Sequence, residues 1–385
     1  MNMKTMVIIR FVLWVSVLSA QGLFAGAAGA GELPGFSPLV TFLKVDSTLE
    51  FCGGIVPLED PEVRERFEKE LLLTLWNRPQ VILWLKRSRR YLPHIEQILK
   101  ANGMPDDIKY IAVAESALLP HVGSGKGAIG FWQFMADTGR KYGLNINERV
   151  DDRRNLFAST AAAVRYFNEL YGKFSSWELA AAAYNMGEAG LMAEILEQAT
   201  NNYYQLYLPL ETQRYIFRIL SVKLILMDPE KYGFKLNEDD YYPPFTFDTV
   251  QVDCRQETPI RLVAQSANTH FKAIKDLNPE IRGHYLREGT HKILIPKGAS
   301  EGFPERYAVL VNKYISARKD KVYVVAAGDN LSAIAEKFDI PLAALIIWNR
   351  IDLKRPIYPG QRLIIYAEEA KVDATETGED EGTSG

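Results

Sequence analysis

From residue 59 to 230 the apolar positions recur at helical spacing. Val63, Phe67 and Leu71 fall on one stripe, and "SWELAAAAYNMG" from Ser176 to Gly187 continues the pattern. Spacings of three and four residues put side chains on one face of an α-helix, so the region is predicted to be a helical domain. Gly103, Gly172 and Gly187 mark helix stops, while Pro105, Asp106 and Asp107 start a helix through "IKYIAVAES". On that helix Ile108, Ile111 and Ala112 define a buried stripe whose next position is Glu115. A carboxylate there is costly to ionise. Two readings are open from the pattern: the side chain escapes to solvent or an arginine at the helix end, or the fold holds a glutamic acid that keeps its proton.

The pattern changes at "DDYYPPFTFD", residues 239–248, where paired prolines and alternating aromatics mark a boundary. Beyond it short strands alternate with short helices, and two segments repeat each other. "AQSANTHFKAIKDLN" ends at Asn278 and "AEKFDIPLAALIIWN" ends at Asn349, 71 residues later. Each is flanked by strand-like runs, "TVQV" and "KILIP" in the first copy, "VYVV" and "RLIIY" in the second. An internal repeat of strand, two helices and strand is predicted, each copy about 45–50 residues and near the lower limit for independent folding.

Composition narrows the function classes. At 385 residues, 47% hydrophobic and 24% charged, the chain can build two or three domains. The net charge of −3 is concentrated in the tail 367–385, with seven acids and one lysine, which is predicted to be solvated and disordered. No basic stripe suggests nucleic acid. At the other end Lys4 and Arg10 precede "FVLWVSVL" and then "AGAAGAG", the order of a secretory signal with an apolar run too short to span a bilayer. An uncleaved anchor is the alternative. No cysteine near that segment supports a lipid anchor, and the five scattered histidines support no metal site. The two cysteines, Cys52 and Cys254, leave two readings open: free thiols, or a disulfide in an exported chain.

Residues 322–366 resemble a LysM domain, a small module that binds glycans containing N-acetylglucosamine. The resemblance runs through Gly328, Asp329, Leu331, Ile334, Ala335, Leu345, Trp348, Asn349 and Pro359–Gly360–Gln361. It implies glycan contacts near Gly328, Asp329, Leu331 and Asn349; Trp348 is expected in the core of the unit. The earlier copy has Glu257–Thr258 in place of Gly–Asp and resembles a degenerate LysM unit.

The helical region carries "ESALLPHVGSGKGAIGFWQFMADTGRKYGL" (115–144), "AAAYNMGEAGL" (181–191) and "LPLETQRYI" (208–216). It resembles the soluble lytic transglycosylase family, whose catalytic domain is related to goose-type lysozyme. Ala136 departs from a common proline at a helix start. The fold implied is mainly α: a lysozyme-like helical catalytic domain followed by two small βααβ LysM-like units. The expected divisions are a signal peptide at 1–30, an extension at 31–58, the catalytic domain at 59–232, the degenerate unit at 246–297, the LysM domain at 321–367 and a tail at 368–385.

The resemblance implies that Glu115 is the catalytic acid, on an apolar stripe that raises its pKa. It makes Ser116 a substrate-side hydroxyl beside the acid, and puts Ser124, Gln133 and Met135 at substrate-contacting positions. Tyr184 is implied to be a hydrogen-bond partner near the carboxyl, Asn185 a structural or substrate contact, and Glu211 an orienting group in the cleft. Phe131 and Trp132 are expected to pack. The glycine-dense loop 123–130 suggests close approach to a ligand or a sharp turn; no preceding strand supports a phosphate-binding loop. The implied activity is cleavage of the β-1,4 bond between N-acetylmuramic acid and N-acetylglucosamine in peptidoglycan, leaving 1,6-anhydro ends. It implies no cofactor, glycan strands as partner and a periplasmic, wall-associated location. A hydrolytic muramidase or chitinase, and a non-catalytic wall-binding protein, are the rivals.

Overall fold

The computed structural model describes residues 39–45, 48–318 and 322–365. The expected signal segment, the start of the extension and the acidic tail lie outside the described residues. A short hairpin, β1 (Glu50–Phe51) and β2 (Gly54–Ile55), precedes a helical body. Its helices are α1 (Pro61–Trp76), α2 (Arg78–Ala101), α3 (Lys109–Ser116), α4 (Ala136–Lys141), α5 (Leu156–Phe174), α6 (Trp177–Met186), α7 (Glu188–Gln198) and α8 (Leu210–Met227).

Local chemistry starts several of these helices. Asp60 accepts from the amides of Glu62 and Val63 with Pro61 in the first turn, Asn155 accepts from Phe157 and Ala158, and Ser176 caps Leu179. Each cap satisfies amides that the first turn leaves unpaired, worth about 1 kcal/mol. α1 packs on α8, and α5 packs on α2 and α6. The run Ala180–Ala183 is fully buried, so small side chains let α6 lie close to its neighbours. α3 runs through the interior: Ile108, Ile111, Ala112 and Val113 are fully buried. A half-buried ion pair staples α1 to α8, the buried Glu70 taking Arg214 Nε at 2.6 Å and Nη2 at 3.1 Å.

Behind this body stand two small units. The first comprises β3 (Phe247–Cys254), β4 (Thr258–Pro259), α9 (Ile260–Ser266), α10 (Phe271–Leu277), β5 (Tyr285–Leu286), β6 (Gly289–Pro296) and a packed helix α11 (Phe303–Arg318). β3 and β6 are antiparallel, in register from Phe247↔Pro296 to Cys254↔Gly289. The second comprises β7 (Val322–Val324), α12 (Leu331–Lys337), α13 (Leu342–Asn349) and β8 (Arg362–Ile364). The repeat persists in hydrogen bonding. Asn278 Nδ2 donates to Ile274 and Leu294 carbonyls at 2.7 and 2.8 Å and its Oδ1 accepts from the Leu294 amide at 2.9 Å. Asn349 does the same toward Leu345 and Ile364 at 2.9, 2.8 and 2.6 Å.

Three points went beyond or against expectation. α11 was not anticipated, although Phe303, Tyr307, Val311 and Tyr314 form its buried stripe. Trp348 packs against the cores of both small units. The disulfide alternative is corrected: both cysteines are free thiols. Cys52 sits in the β1–β2 turn with its amide on Asp107 Oδ2 at 2.7 Å, whereas Cys254 ends β3 with its sulfur 3.6 Å from the Tyr307 hydroxyl. They belong to the helical body and the first small unit respectively.

Candidate active site

Glu115 lies on the last turn of α3, where the apolar stripe places it, and retains partial exposure. Tyr215 of α8, itself fully buried, donates its hydroxyl to Glu115 Oε1. Burial pushes the Glu115 carboxyl above its ordinary value; the Tyr215 hydrogen bond and the Arg218 charge pull the other way, and the negative charge of Glu211 adds to the push. Of the two readings of Glu115, the burial and the raised pKa favour the acid over a side chain that escapes to solvent. Arg218 lies over the Tyr215 ring at 5.6 Å from its centroid. Tyr184 stacks on Phe167 at 4.7 Å and donates its hydroxyl to the Trp132 carbonyl; burial first, then the Glu115 charge, holds that phenol well above its usual range.

After α3 the chain reverses through two left-handed residues, Ala117 at φ 53° and Leu118 at φ 59°. Such conformations cost about 1 kcal/mol or more each without glycine, so the surroundings must hold them. Arg87 Nη1 donates to the Ala117 carbonyl at 3.2 Å, and the Leu118 side chain is fully buried. Ser116 is buried, its hydroxyl within reach of the Ala112 and Phe131 carbonyls at 3.0 and 2.8 Å. The hydroxyl expected on the substrate side here ties α3 to the segment after the glycine-dense loop.

That loop closes by crowding against backbone. Gly130 has φ 84°, and a Cβ there would stand 1.8 Å from the Arg153 carbonyl oxygen. Its glycine answers to close approach by the chain itself. Arg153, nearly buried, donates to the Gly127 and Phe134 carbonyls at 3.0 and 3.2 Å, and its Nε and Nη2 meet the buried Asp151 carboxylate at 2.8 and 2.9 Å. Burial alone would raise the Asp151 pKa, but the Arg153 hydrogen bonds and charge, with Arg154, bring it below the ordinary value.

The remaining candidates divide between this scaffold and open surface. Ser124 is exposed, its Oγ accepting from the Ala128 amide at 3.1 Å. Gln133, left-handed at φ 49°, spends its amide nitrogen on the Val122 and Gly130 carbonyls at 3.1 and 2.8 Å. Met135 is 45% exposed, unusual for a thioether and open to an apolar face of a ligand. Asn185 Oδ1 accepts from Thr212 Oγ1 at 2.8 Å, joining α6 to α8. Glu211 is exposed in the first turn of α8. Phe131 and Trp132 are core residues, Trp132 donating to Thr160 Oγ1 at 3.0 Å. Sequence reasoning did not single out Tyr215; the available signal was its place one helical turn after Glu211 in "LPLETQRYI".

In the second small unit, the expected glycan positions have mixed surroundings. Gly328 is exposed at φ 90°. Asp329 Oδ2 accepts from the Tyr323 hydroxyl at 2.6 Å and the Ala326 amide at 2.7 Å, and these bonds hold its carboxyl below the ordinary value. Leu331 packs on the unit's core. Asn349, expected among the glycan contacts, has its side-chain amide bonded to the backbone at Leu345 and Ile364. Among the described residues, no helix is long and apolar enough to cross a membrane and no group of side chains is arranged to hold a metal.

The chain matches three described families: the transglycosylase SLT domain over residues 93–206, the LysM-like domain of lytic transglycosylase MltD over 246–311, and the LysM domain over 323–365. It is 28% identical over 365 residues to the membrane-bound lytic murein transglycosylase D of Escherichia coli K12, covering 89% of this chain and 79% of that protein. The peptidoglycan transglycosylase gp16 of Escherichia phage T7 is 38% identical over 94 residues, 24% of this chain and 7% of that one. The solved 70 kDa soluble lytic transglycosylase of Escherichia coli aligns over 46% of this chain and 32% of its own at 17% identity and a TM-score of 0.33, a likeness too loose to carry an argument.

Proposed function

Since this chain carries a transglycosylase SLT domain followed by LysM-type units, we propose that it is a peptidoglycan lytic transglycosylase. It cleaves the β-1,4 bond between N-acetylmuramic acid and N-acetylglucosamine and leaves 1,6-anhydro-muramyl ends. The observation that carries this reading is one desolvated carboxyl at Glu115, its pKa raised by burial, with Tyr215 donating to it.

Glycosidases that hydrolyse generally use two carboxyl groups across the scissile bond. Here the neighbouring acids are otherwise disposed. Asp137 is fully exposed beside Arg140, Asp151 is consumed by Arg153, and Asp152 Oδ2 accepts from the Asn145 amide. Glu211 is near enough to raise the Glu115 pKa, but it stands in solvent. With one acid the nucleophile comes from the substrate. Tyr215 occupies Oε1, so the acid's proton sits on Oε2 and passes to the leaving oxygen as the glycosidic bond breaks. The 2-acetamido group stabilises the oxocarbenium-like centre. The muramyl 6-hydroxyl then attacks carbon 1, and the Glu115 carboxylate takes its proton. Attack by a tethered hydroxyl gains from high effective molarity. Tyr215 and Arg218 stabilise Glu115 while it is charged between the two steps.

The second LysM-type unit holds the enzyme on wall glycan, which fits an exported, wall-associated protein. Mass spectrometry of products from purified sacculi tests the reading. Muramyl ends about one water lighter than hydrolytic ends are expected. Reducing ends carrying heavy oxygen from labelled water would replace this reading with a hydrolytic muramidase.

A further inference from the structure

The first small unit is docked on the helical body along the edge that its repeat partner leaves open. Asp151 N donates to the Glu280 carbonyl at 2.9 Å, Arg282 N donates to the Arg149 carbonyl at 2.7 Å, and Val150 forms an antiparallel bridge with Ile281. Glu280 and Ile281 are buried there. Seventy-one residues after Glu280, Ile281 and Arg282, Ile351 is half-buried against its own unit's core, while Asp352 and Leu353 stand in solvent, Leu353 at 72% exposure. Glu257, at the position of Gly328, is ion-paired with both Arg149 of the helical body and Arg350 of the second unit. Thr258 and Ile260, at the positions of Asp329 and Leu331, are buried.

The docked segment is also the underside of the loop beside Glu115. Its Asp151 carries the Arg153 fork, and Arg153 supplies hydrogen bonds to both ends of the loop, at Gly127 and Phe134. The loop itself has few backbone bonds, five within residues 122–134: Ser124 to Ala128, Gly127 to Ser124, Ile129 to Phe134, Gly130 to Val122 and Gln133 to Gly130. A glycine-rich segment so sparsely bonded relies on what lies beneath it. Asp151 and Arg153 are both buried, so displacing either leaves an uncompensated charge and the clamp has one stable geometry.

We propose that the first LysM-like unit is a brace for the substrate loop, acting from Glu280–Arg282 through Asp151 and Arg153 on residues 124–134, and that it does not read glycan with the face so used. Asp151 and Arg153 are thereby positioning residues for Ser124, Gln133 and Met135. The inference rests on the reading of the Glu115 cleft as the glycan site.

The test uses the full chain with Arg149→Glu, the stronger Arg149→Glu/Ile281→Lys, and Arg149→Lys as the conservative control. Hydrogen exchange of the Asp151 and Arg282 amides reports docking; that of Ser124, Gly127, Ile129 and Gly130 reports the loop. Loss of protection at the docking amides is expected to bring loss at the loop amides. KM for soluble glycan fragments should rise about tenfold, because misplaced contacts weaken binding geometry. The pH profile of kcat should not move, since Glu115 is untouched, and Arg149→Lys should restore wild-type values. Open docking amides with a protected loop and unchanged KM would overturn the brace. Docking amides that stay protected in both disruptive variants would overturn it too, because the named contacts would not then hold the unit. If the wild type yields only reducing ends, the functional reading falls, while the exchange measurement still decides the brace.

Discussion

Tyr215 and Glu115, a hundred residues apart in the chain, meet in one hydrogen bond between α8 and α3. The phenol donates to one carboxyl oxygen, so one bond both orients the acid and favours its charged form. Burial favours the neutral form, and the two influences oppose each other within one group.

Tyr215→Phe removes the donor and keeps the ring. The Glu115 pKa should rise further, because the bond it loses stabilises the carboxylate. Activity requires Glu115 protonated at the outset, so the alkaline limb of the pH–rate profile should move to higher pH. Turnover should fall about ten- to a hundredfold, since the carboxylate formed mid-reaction loses its donor. An alkaline limb that moves down, or stays put, would contradict the role.

Glu115→Gln should abolish turnover and, separately, alter how stability depends on pH. Because the folded pKa is raised above the unfolded value, the proton on Glu115 favours the fold below the ordinary carboxyl pKa of 4.5. That contribution is lost as pH rises through the folded value. Glutamine is neutral throughout. The difference in Tm, variant minus wild type, should therefore be small near pH 4 and grow positive toward alkaline pH; thermal melts across that range check it.

Arg214→Met leaves Glu70 buried with no partner. Breaking a buried pair this way costs about 3 kcal/mol, and about 2 kcal/mol is expected because Arg214 is 43% exposed at its own end. Adding Glu70→Met should recover most of the loss, since the helices α1 and α8 then meet through apolar side chains. Urea midpoints of the two variants make the comparison.

Gly130→Ala combines a positive φ with a Cβ 1.8 Å from a backbone oxygen. Backbone cannot move aside as a side chain can, so a loss of at least about 3 kcal/mol is expected. Gly125→Ala, where a Cβ meets nothing, should be near neutral. Equal stability of the two variants would refute the close approach as the reason for glycine.

Much of the site was legible because its signals are local. Glu115 broke an apolar stripe, and the glycine-dense loop announced a tight backbone. Tyr184 came from a motif alone, since a buried tyrosine in an alanine-rich helix reads equally well as core. Ser116 and Asn349 read as ligand contacts because a short polar side chain carries no sign of which way it faces. Both face inward, onto carbonyls that arrive from other segments. Cys52 and Cys254 could be paired on paper because spacing along a chain says nothing about which core each thiol enters.

The sequence by itself determined the elements and their succession: helical periodicity, caps, glycine stops and a repeat every 71 residues are properties of neighbours along the chain. It also determined that a carboxyl would lie on a buried face. Only the tertiary structure decided that Tyr215 meets this carboxyl, that Arg153 clamps the loop from below, and that the two copies of one repeat differ in role. The reason is physical. Hydrogen bonds and ion pairs act over a few ångströms, and which distant groups come that close is set by how the helices and small units pack. Glu257 shows the limit: in the chain it is one change from the repeat, while in the fold it joins Arg149 to Arg350.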